Sequence, residues 1–298
     1  MAVTRRSTAR DSRSAGHKVK SAARTANTRT KNAAANPVYE LAARWGYVVR
    51  GVLYGLMGVI GLLLTVGIVG HATDQKTSLQ YIAASPLGFV VLGTFAVGLV
   101  AYSTWGFVRA VYDPLHRGDE VPGLMARLGF AWSGLAYGSL LVAVLQFLAG
   151  AHGTLHQDSV QSTILAILTL PLGQPVTAVA GLIGIAAGLA QFVDAVRVTF
   201  KRDLKRGAMT RVEYRTAMIL GRVGMVSRGI VFTITGWFVL QAALHHDAGQ
   251  AHGFGAAMEA VLKAPQGRLL VMLLALGFVA LAFHSFAYAR WVRMMGTE

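Results

Sequence analysis

The sequence contains no cysteine and few charged side chains. The absence of cysteine excludes disulfides, thiol nucleophiles and cysteine-ligated metals. Asp, Glu, Lys and Arg make up 14% of the 298 residues, whereas soluble domains contain about 25%. The mean hydropathy is +0.50. This composition favours an integral membrane protein.

Catalytic motifs are also missing. The sequence has no glycine-rich phosphate loop, no nucleophile elbow around a serine and no His-Glu-x-x-His helix. We therefore predict a protein that is not an enzyme and needs no cofactor.

Long apolar stretches are abundant. Six of them occupy residues 46–70, 87–111, 128–150, 175–197, 223–244 and 268–290. Each is close to or above the roughly 20 residues that cross a hydrocarbon core. Because a backbone in lipid must satisfy its own hydrogen bonds, we predict helices. The predicted fold class is all-α, a polytopic membrane protein with six transmembrane helices.

One phrase occurs three times, at residues 44–54, 127–137 and 222–232. Each copy begins with arginine, has glycine two and seven residues later, and ends on tyrosine or phenylalanine. Each opens an apolar stretch, and a proline follows about 43 residues after its first arginine. Repetition at a fixed period indicates repeated structural units. We therefore predict three parallel two-helix repeats with pseudo-threefold symmetry.

The repeats set the predicted boundaries. A disordered basic tail covers residues 1–36, and the repeats cover 37–115, 121–203 and 214–295. Segments 77–85, 159–170 and 254–264 are predicted to form short helices on the outer surface. We expect Pro86, Pro171 and Pro265 to end these helices and to start the next spanning helix in its first turn.

The basic residues are distributed unevenly between the two sides of the predicted membrane. Of 28 Lys and Arg, 23 lie in the tail, in the connections that follow the second and fourth stretches and at the C-terminal end; Arg109, at the end of the second stretch, is counted with the connection that follows it. Only Lys76, Lys263 and Arg268 lie on the opposite side. The positive-inside rule then predicts that both termini are cytoplasmic. The tail is expected to contact anionic lipid head groups and no nucleic acid; a mitochondrial transit peptide is the alternative interpretation of the tail.

The repeated phrase resembles that of a bacterial membrane family catalogued as domain of unknown function 1206. The resemblance covers residues 38–293 and implies a six-helix protein made of three tandem two-helix repeats. The second copy departs from the pattern, with Ser133 where the other copies have Arg50 and Arg228. The resemblance implies a fold and leaves the function open.

Arg50 and Arg228 are unusual because each lies six residues inside its motif, about 9 Å along a helix. One hypothesis places them with Ser133, Tyr54 and Tyr137 on the threefold axis, as a ligand-binding site for an anion or lipid phosphate. The alternative is that each arginine reaches the head groups or pairs with an acid. The candidate acids are Asp194, Asp113 and Glu40.

Histidines accumulate on the predicted outer side. A weak hypothesis assigns metal binding or pH sensing to His71, His152, His156, His245, His246, Asp74, Asp158 and Asp247. His284, in the last stretch, is interpreted as a buried histidine bonded to a carbonyl, with a proton carrier as the alternative. The leading functional prediction is a structural or regulatory membrane bundle, and the alternative is a small-solute or ion transporter or channel.

Overall fold

The computed structural model describes residues 37–70, 75–113, 120–151 and 159–293. Within these ranges the protein is all-α, and six helices are long and apolar enough to cross a membrane. They are α1 (Pro37–Thr65), α3 (Gly88–Tyr112), α4 (Val121–Leu148), α6 (Gly173–Arg197), α7 (Arg211–Leu244) and α9 (Gly267–Trp291). The predicted fold class and the number of spans are confirmed. The basic tail predicted over residues 1–36 lies outside the described residues.

Three short helices lie in the connections, as predicted. They are α2 (Gln75–Ala83), α5 (Ser159–Leu168) and α8 (Phe254–Leu262). Each packs against the spanning helix that follows it in the chain.

The prolines occupy a different position from the one predicted. They lie in the turn before each spanning helix, which begins two residues later. In the first turn the Gly88 amide donates to the Ser85 carbonyl (2.8 Å), so Pro86 takes the second position of a β-turn, where its fixed φ suits the geometry. Glycine occupies the fourth position of the turn. A Cβ built on Gly88 or Gly267 would overlap carbonyl oxygens at the end of the preceding short helix. The turn therefore needs both proline and glycine.

Three spanning helices begin at least seven residues earlier than the apolar stretches predicted, because helices continue into polar sequence outside the hydrocarbon. The largest extension is in α7, which begins at Arg211 instead of residue 223. Its start is fixed by a capping box in which the Thr210 hydroxyl accepts from the Glu213 amide and the Glu213 carboxylate accepts from the Thr210 amide. At 34 residues, α7 is about 51 Å long.

The spanning helices follow one another around the bundle in a defined order. Extensive interfaces join α1 to α3, α3 to α4, α6 to α7, α7 to α9, and α9 back to α1. Among the described residues, α4 and α6 share no interface of comparable extent. This is the order expected for three two-helix units around an axis, with one exception. The two helices of the second unit, α4 and α6, do not form an extensive interface. The threefold symmetry itself stays a prediction.

Glycines bring the helix backbones together. The most extensive interface, between α6 and α7, is the clearest case. A Cβ built on Gly236 would lie 2.5 Å from the Ile185 amide nitrogen, and one on Gly181 would lie 2.6 Å from that of Leu240. Neither position has room for a larger side chain. Such close approach is how helices associate in lipid.

One end of the bundle, where α1 begins and α9 ends, carries most of the basic residues; we call it the basic end. There the Arg44 guanidinium donates to the carbonyls of Ala289 (2.7 Å) and Arg290 (2.5 Å). Leu204, in the α6–α7 connection, forms an isolated antiparallel bridge with Val292. The Arg44 bonds fasten the start of α1 to the end of α9, and the bridge fastens the α6–α7 connection to the same end.

Candidate anion-binding site

Arg50 lies inside the bundle between α1, α3 and α9. Its Nη1 donates to the Tyr102 hydroxyl (2.6 Å) and its Nε to the Ser285 hydroxyl (3.1 Å). Ser285 is fully buried and Tyr102 is 2% exposed. Both partners of the cation are therefore neutral hydroxyl groups supplied by neighbouring helices.

Four tyrosine rings surround the same guanidinium. Its Cζ lies 5.2 Å from the ring centroid of Tyr47, 5.4 Å from Tyr102, 5.8 Å from Tyr288 and 5.9 Å from Tyr54. Cations within about 6 Å of a ring centroid are attracted by the ring's electron density. The tyrosines thus surround the half-buried cation with uncharged aromatic rings.

Arg228 makes aromatic contacts of the same kind on α7. Its Cζ lies 4.7 Å from the Phe232 centroid and 5.9 Å from that of Tyr54. Its buried Nε has no hydrogen-bond partner among the described residues. Arg50 stands 15 residues before the end of α1 and Arg228 stands 16 before the end of α7. At 1.5 Å per residue these separations correspond to about 22 and 24 Å, so the two arginines lie at similar depths.

Tyr54 and Tyr137 connect the two arginines to α4. The Tyr54 ring contacts both guanidinium groups, and the Tyr137 hydroxyl donates to the Tyr54 hydroxyl (3.4 Å). Tyr137 packs edge-on against Tyr102 (4.6 Å between centroids), and Ser133 lies beside the Tyr102 hydroxyl. The structure therefore brings together the five residues of the ligand-site hypothesis, Arg50, Ser133, Arg228, Tyr54 and Tyr137. We call these five the arginine–tyrosine cluster.

Acidic side chains do not balance these charges. No carboxylate among the described residues forms an ion pair with Arg50 or Arg228. Glu40 pairs with Arg44 (2.7 Å), and Asp194 accepts a hydrogen bond from Thr199 (2.6 Å). The alternative in which Glu40 or Asp194 neutralises the arginines is therefore wrong. Buried cations without a counter-ion are costly in a low-dielectric interior, so the cluster is suited to an anion.

Several members of this environment were not predicted. Tyr47 lies one helical turn before Arg50, and Tyr102, Ser285 and Tyr288 come from α3 and α9. Tyr47 could have been found from its spacing, since residues i and i+3 share a helix face. The other three are brought to Arg50 only by tertiary packing, which no short motif records.

Arg109 was assigned to a connection between helices, and this assignment is wrong. It lies in the last turn of α3, is 5% exposed and stacks on the Phe130 ring, with Cζ 4.3 Å from the centroid. Contact with the aromatic ring keeps the side chain inside the bundle although it is near a helix end. Arg109 is therefore a buried arginine near the basic end, in addition to the half-buried Arg50 and Arg228.

The structure describes only some of the residues in the histidine hypothesis. His71, Asp74, His152, His156 and Asp158 lie outside the described residues. The remaining members have local contacts at the end of α7. Asp247 accepts from the Gly249 amide (2.8 Å), His245 Nδ1 lies 2.9 Å from the Gln241 carbonyl, and His246 is exposed. Within the described ranges no three His, Asp or Glu side chains are grouped to hold a metal, so the metal hypothesis stays untested for the full set.

His284 is buried in α9, with 1% exposure. Its Nδ1 lies 3.0 Å from the Ala217 carbonyl, and its ring packs edge-on against Phe200 (4.8 Å between centroids). The interpretation as a buried histidine bonded to a carbonyl is confirmed.

The fold and the cluster define an all-α polytopic membrane protein with half-buried arginines beside tyrosines. Residues 45–113 and 223–292 match the family described as Domain of Unknown Function (DUF1206). The resemblance predicted from the repeated phrase is thus confirmed over these two stretches, which contain Arg50 and Arg228. The chain is also similar to "Uncharacterized protein YxxB" of Bacillus subtilis (strain 168). The two are 29% identical over 238 residues, which cover 79% of this chain and 85% of the relative. No solved structure matches the chain.

Proposed function

We propose that this protein is a non-enzymatic membrane bundle that binds an oxyanion at the arginine–tyrosine cluster. The observation that carries the proposal is the pair Arg50 and Arg228, half-buried at similar depths and without a carboxylate partner among the described residues. A bound anion would offset the cost of burying two cations. Binding would then couple the anion to the packing of α1, α4 and α7, which is a regulatory role.

The chemistry of the cluster favours an oxyanion of the phosphate or sulfate type. Arginine presents a planar fork of donors that matches the oxygens of such groups. Among the described residues, the Arg228 guanidinium contacts only aromatic rings, so its N–H groups are available to a ligand. Hydroxyls of Tyr54, Tyr137 and Ser133 add neutral donors around it. The shared chemistry is a tetrahedral oxyanion, either free in solution or carried by a lipid.

The proposed location is a bacterial inner membrane with both termini in the cytoplasm. The distribution of basic residues supports this orientation through the positive-inside rule, and the bacterial relative supports the source membrane. In this orientation Arg50 and Arg228 lie about 9 Å deeper than Arg44 and Arg222, the first arginines of their motifs. The proposed partners are the bilayer and, through the tail, anionic lipid head groups.

The test is anion-dependent stabilisation of the purified protein in an uncharged detergent. A ligand at 100 times its Kd stabilises by about 2.7 kcal/mol, which raises the melting temperature by roughly 5 °C or more. We expect this rise with phosphate, sulfate or short-chain phosphatidylglycerol in the native protein. If only the free anions raise the melting temperature, the ligand is a soluble anion. If only phosphatidylglycerol raises it, the ligand is a lipid.

Two variants make the test specific. The double variant Arg50→Met with Arg228→Met should show no anion-dependent rise. Arg268→Met, which removes an exposed arginine at the opposite end, should keep it. An equal rise in all three proteins would show that the anions act on the surface or on the solvent, and would contradict the proposal.

Transport of the same anion is the second candidate function. It is favoured by one observation, the lack of an extensive interface between α4 and α6, because this gap adjoins the helix that carries Ser133 and Tyr137. Proteoliposomes loaded with labelled phosphate or sulfate distinguish the two functions. Flux that disappears in Arg228→Met would support transport, whereas binding without flux would support the bundle alone.

A further inference from the structure

A second basic site lies at the basic end, outside the arginine–tyrosine cluster. A groove of about 480 Å³ runs between the start of α7 and the segment that follows α6. Its cations are Lys201, Arg215 and Arg222, and its other lining residues are Val198, Tyr214, Met218 and Ile219. We call it the α6–α7 groove, and we propose that it binds the phosphate group of an anionic membrane lipid.

The wall of the groove is held in place by the fold. Val198 ends α6 in the left-handed conformation (φ 52°), an unusual state for a β-branched residue, and turns the chain toward α7. The following 3₁₀ turn, Thr199–Asp203, carries Lys201. The turn is anchored by the buried Phe200, whose ring lies so close to Gly221 of α7 that a Cβ there would be 2.6 Å from it. Lys201 therefore projects from a fixed segment.

The opposite wall is one face of α7. Arg215 and Arg222 are separated by two helical turns, and Met218 and Ile219 lie between them. Tyr214 is covered by the Arg206 guanidinium, with Cζ 5.2 Å from the ring centroid. The face thus combines cations with an apolar surface.

Among the residues that the structure describes, none that lines the groove is acidic. The acids on the adjoining elements have other partners. Glu213 belongs to the capping box at Thr210, Asp194 accepts from Thr199, and Asp203 is buried and accepts from the Tyr288 hydroxyl (3.2 Å). The three cations are therefore left to attract an anion.

The depth of the groove identifies a lipid as the source of that anion. Arg222 stands 22 residues before the end of α7, about 33 Å along the helix, while the hydrocarbon core is about 30 Å thick. Arg222 consequently lies at the level of the lipid phosphates if Leu244 marks the opposite boundary. Below it the same face continues with Val223 and Val226, which are 45% and 39% exposed, and an acyl chain would lie along them. Basic pockets between membrane helices on the cytoplasmic side bind lipid head groups in this manner.

Binding of short-chain phosphatidylglycerol to the purified full-length protein tests the proposal. The groove variant carries Lys201→Gln, Arg215→Gln and Arg222→Gln. The control variant carries Arg197→Gln, Arg202→Gln and Arg211→Gln, which removes the same charge from exposed residues outside the groove. Since each basic residue near a lipid surface contributes roughly fivefold in affinity, we expect at least a tenfold loss in the groove variant and less than threefold in the control. Equal losses in the two variants, or none, would overturn the proposal.

Two further measurements cover a groove variant that does not fold and the possibility that free phosphate is the ligand. If the groove variant does not fold, Arg222→Gln alone should weaken binding about threefold to fivefold and Arg222→Lys should restore it; equal affinities of the two single variants would contradict the site. Inorganic phosphate at low millimolar concentration should not displace the lipid, and displacement would show that free phosphate is the ligand. Sulfate-dependent stabilisation through Arg50 and Arg228 should persist in the groove variant, so the two sites are tested separately.

Discussion

Replacing Arg228 with methionine tests whether a cation is buried there for a purpose other than stability. An arginine at the centre of a membrane helix costs about 2.5 to 3.5 kcal/mol, and this is an upper bound for Arg228, which lies about 9 Å below Arg222. The contacts with Phe232 and Tyr54 return about 0.5 to 2 kcal/mol each, and Nε has no hydrogen bond to offset the remainder. We therefore expect Arg228→Met, without added oxyanions, to leave stability unchanged or to raise it by up to about 2 kcal/mol.

Arg50 is the matched comparison, because it has the same motif position but a different set of contacts. Arg50→Met removes two charge-assisted hydrogen bonds, each worth about 1.5 to 3 kcal/mol, and should lower stability by roughly 2 to 4 kcal/mol. Thermal melting in an uncharged detergent, with chloride as the only small anion, measures both variants. If Arg228→Met destabilises the protein as much as Arg50→Met does, then Arg228 is a structural residue and the reasoning fails.

Four further predictions follow from the same structure. Tyr102→Phe, which leaves the Arg50 Nη1 without its hydroxyl partner, should lower stability by about 1.5 to 3 kcal/mol in the same melting assay, and no change would show that water replaces the hydroxyl. Gly236→Leu should separate α6 from α7 and cost at least about 1 to 3 kcal/mol, whereas Gly93→Leu, which has open space around it, should cost little. Reporter fusions after residues 75, 120, 155, 205 and 250 and at the C terminus should alternate between outside and inside, and two adjacent fusions on one side would contradict the topology. Deletion of residues 2–34 should leave the melting temperature nearly unchanged; a fall of many degrees would show that the tail is docked.

The sequence was sufficient for the coarse fold because lipid restricts what a chain can do. Apolar stretches of the right length specify spanning helices, and all six occur where they were predicted. Their ends were less predictable. The start of α7 depends on Thr210 and Glu213 in polar sequence, and the apolar pattern carries no signal there. The prolines were correctly associated with helix starts but were placed two residues too far into the helix, because the β-turn needs the glycine that follows.

Only those residues of the candidate site that belong to the repeated phrase could be predicted from the sequence. Arg50, Ser133 and Arg228 occupy one motif position, and the structure brings them near the same tyrosines. The equivalence of the three copies has limits, however. Gly129 is exposed with no neighbouring atoms within 4 Å of a Cβ built there, while Gly224 packs against Leu281. Ser285 of α9 reaches Arg50 through helix packing, which no spacing in one segment encodes.

The most direct test of the oxyanion site uses the absence of cysteine in the chain. Ser133→Cys adds one thiol beside the cluster and leaves both arginines in place, and Ser139→Cys places one on the exposed face of the same helix. Thiol modification in proteoliposomes is measured with a negatively charged and a positively charged methanethiosulfonate reagent. We expect the anionic reagent to modify position 133 at least about tenfold faster than the cationic one. Sulfate or phosphatidylglycerol should slow this reaction, and position 139 should react with neither reagent. Equal rates for the two reagents at position 133, or no reaction there, would contradict an anion-binding cluster.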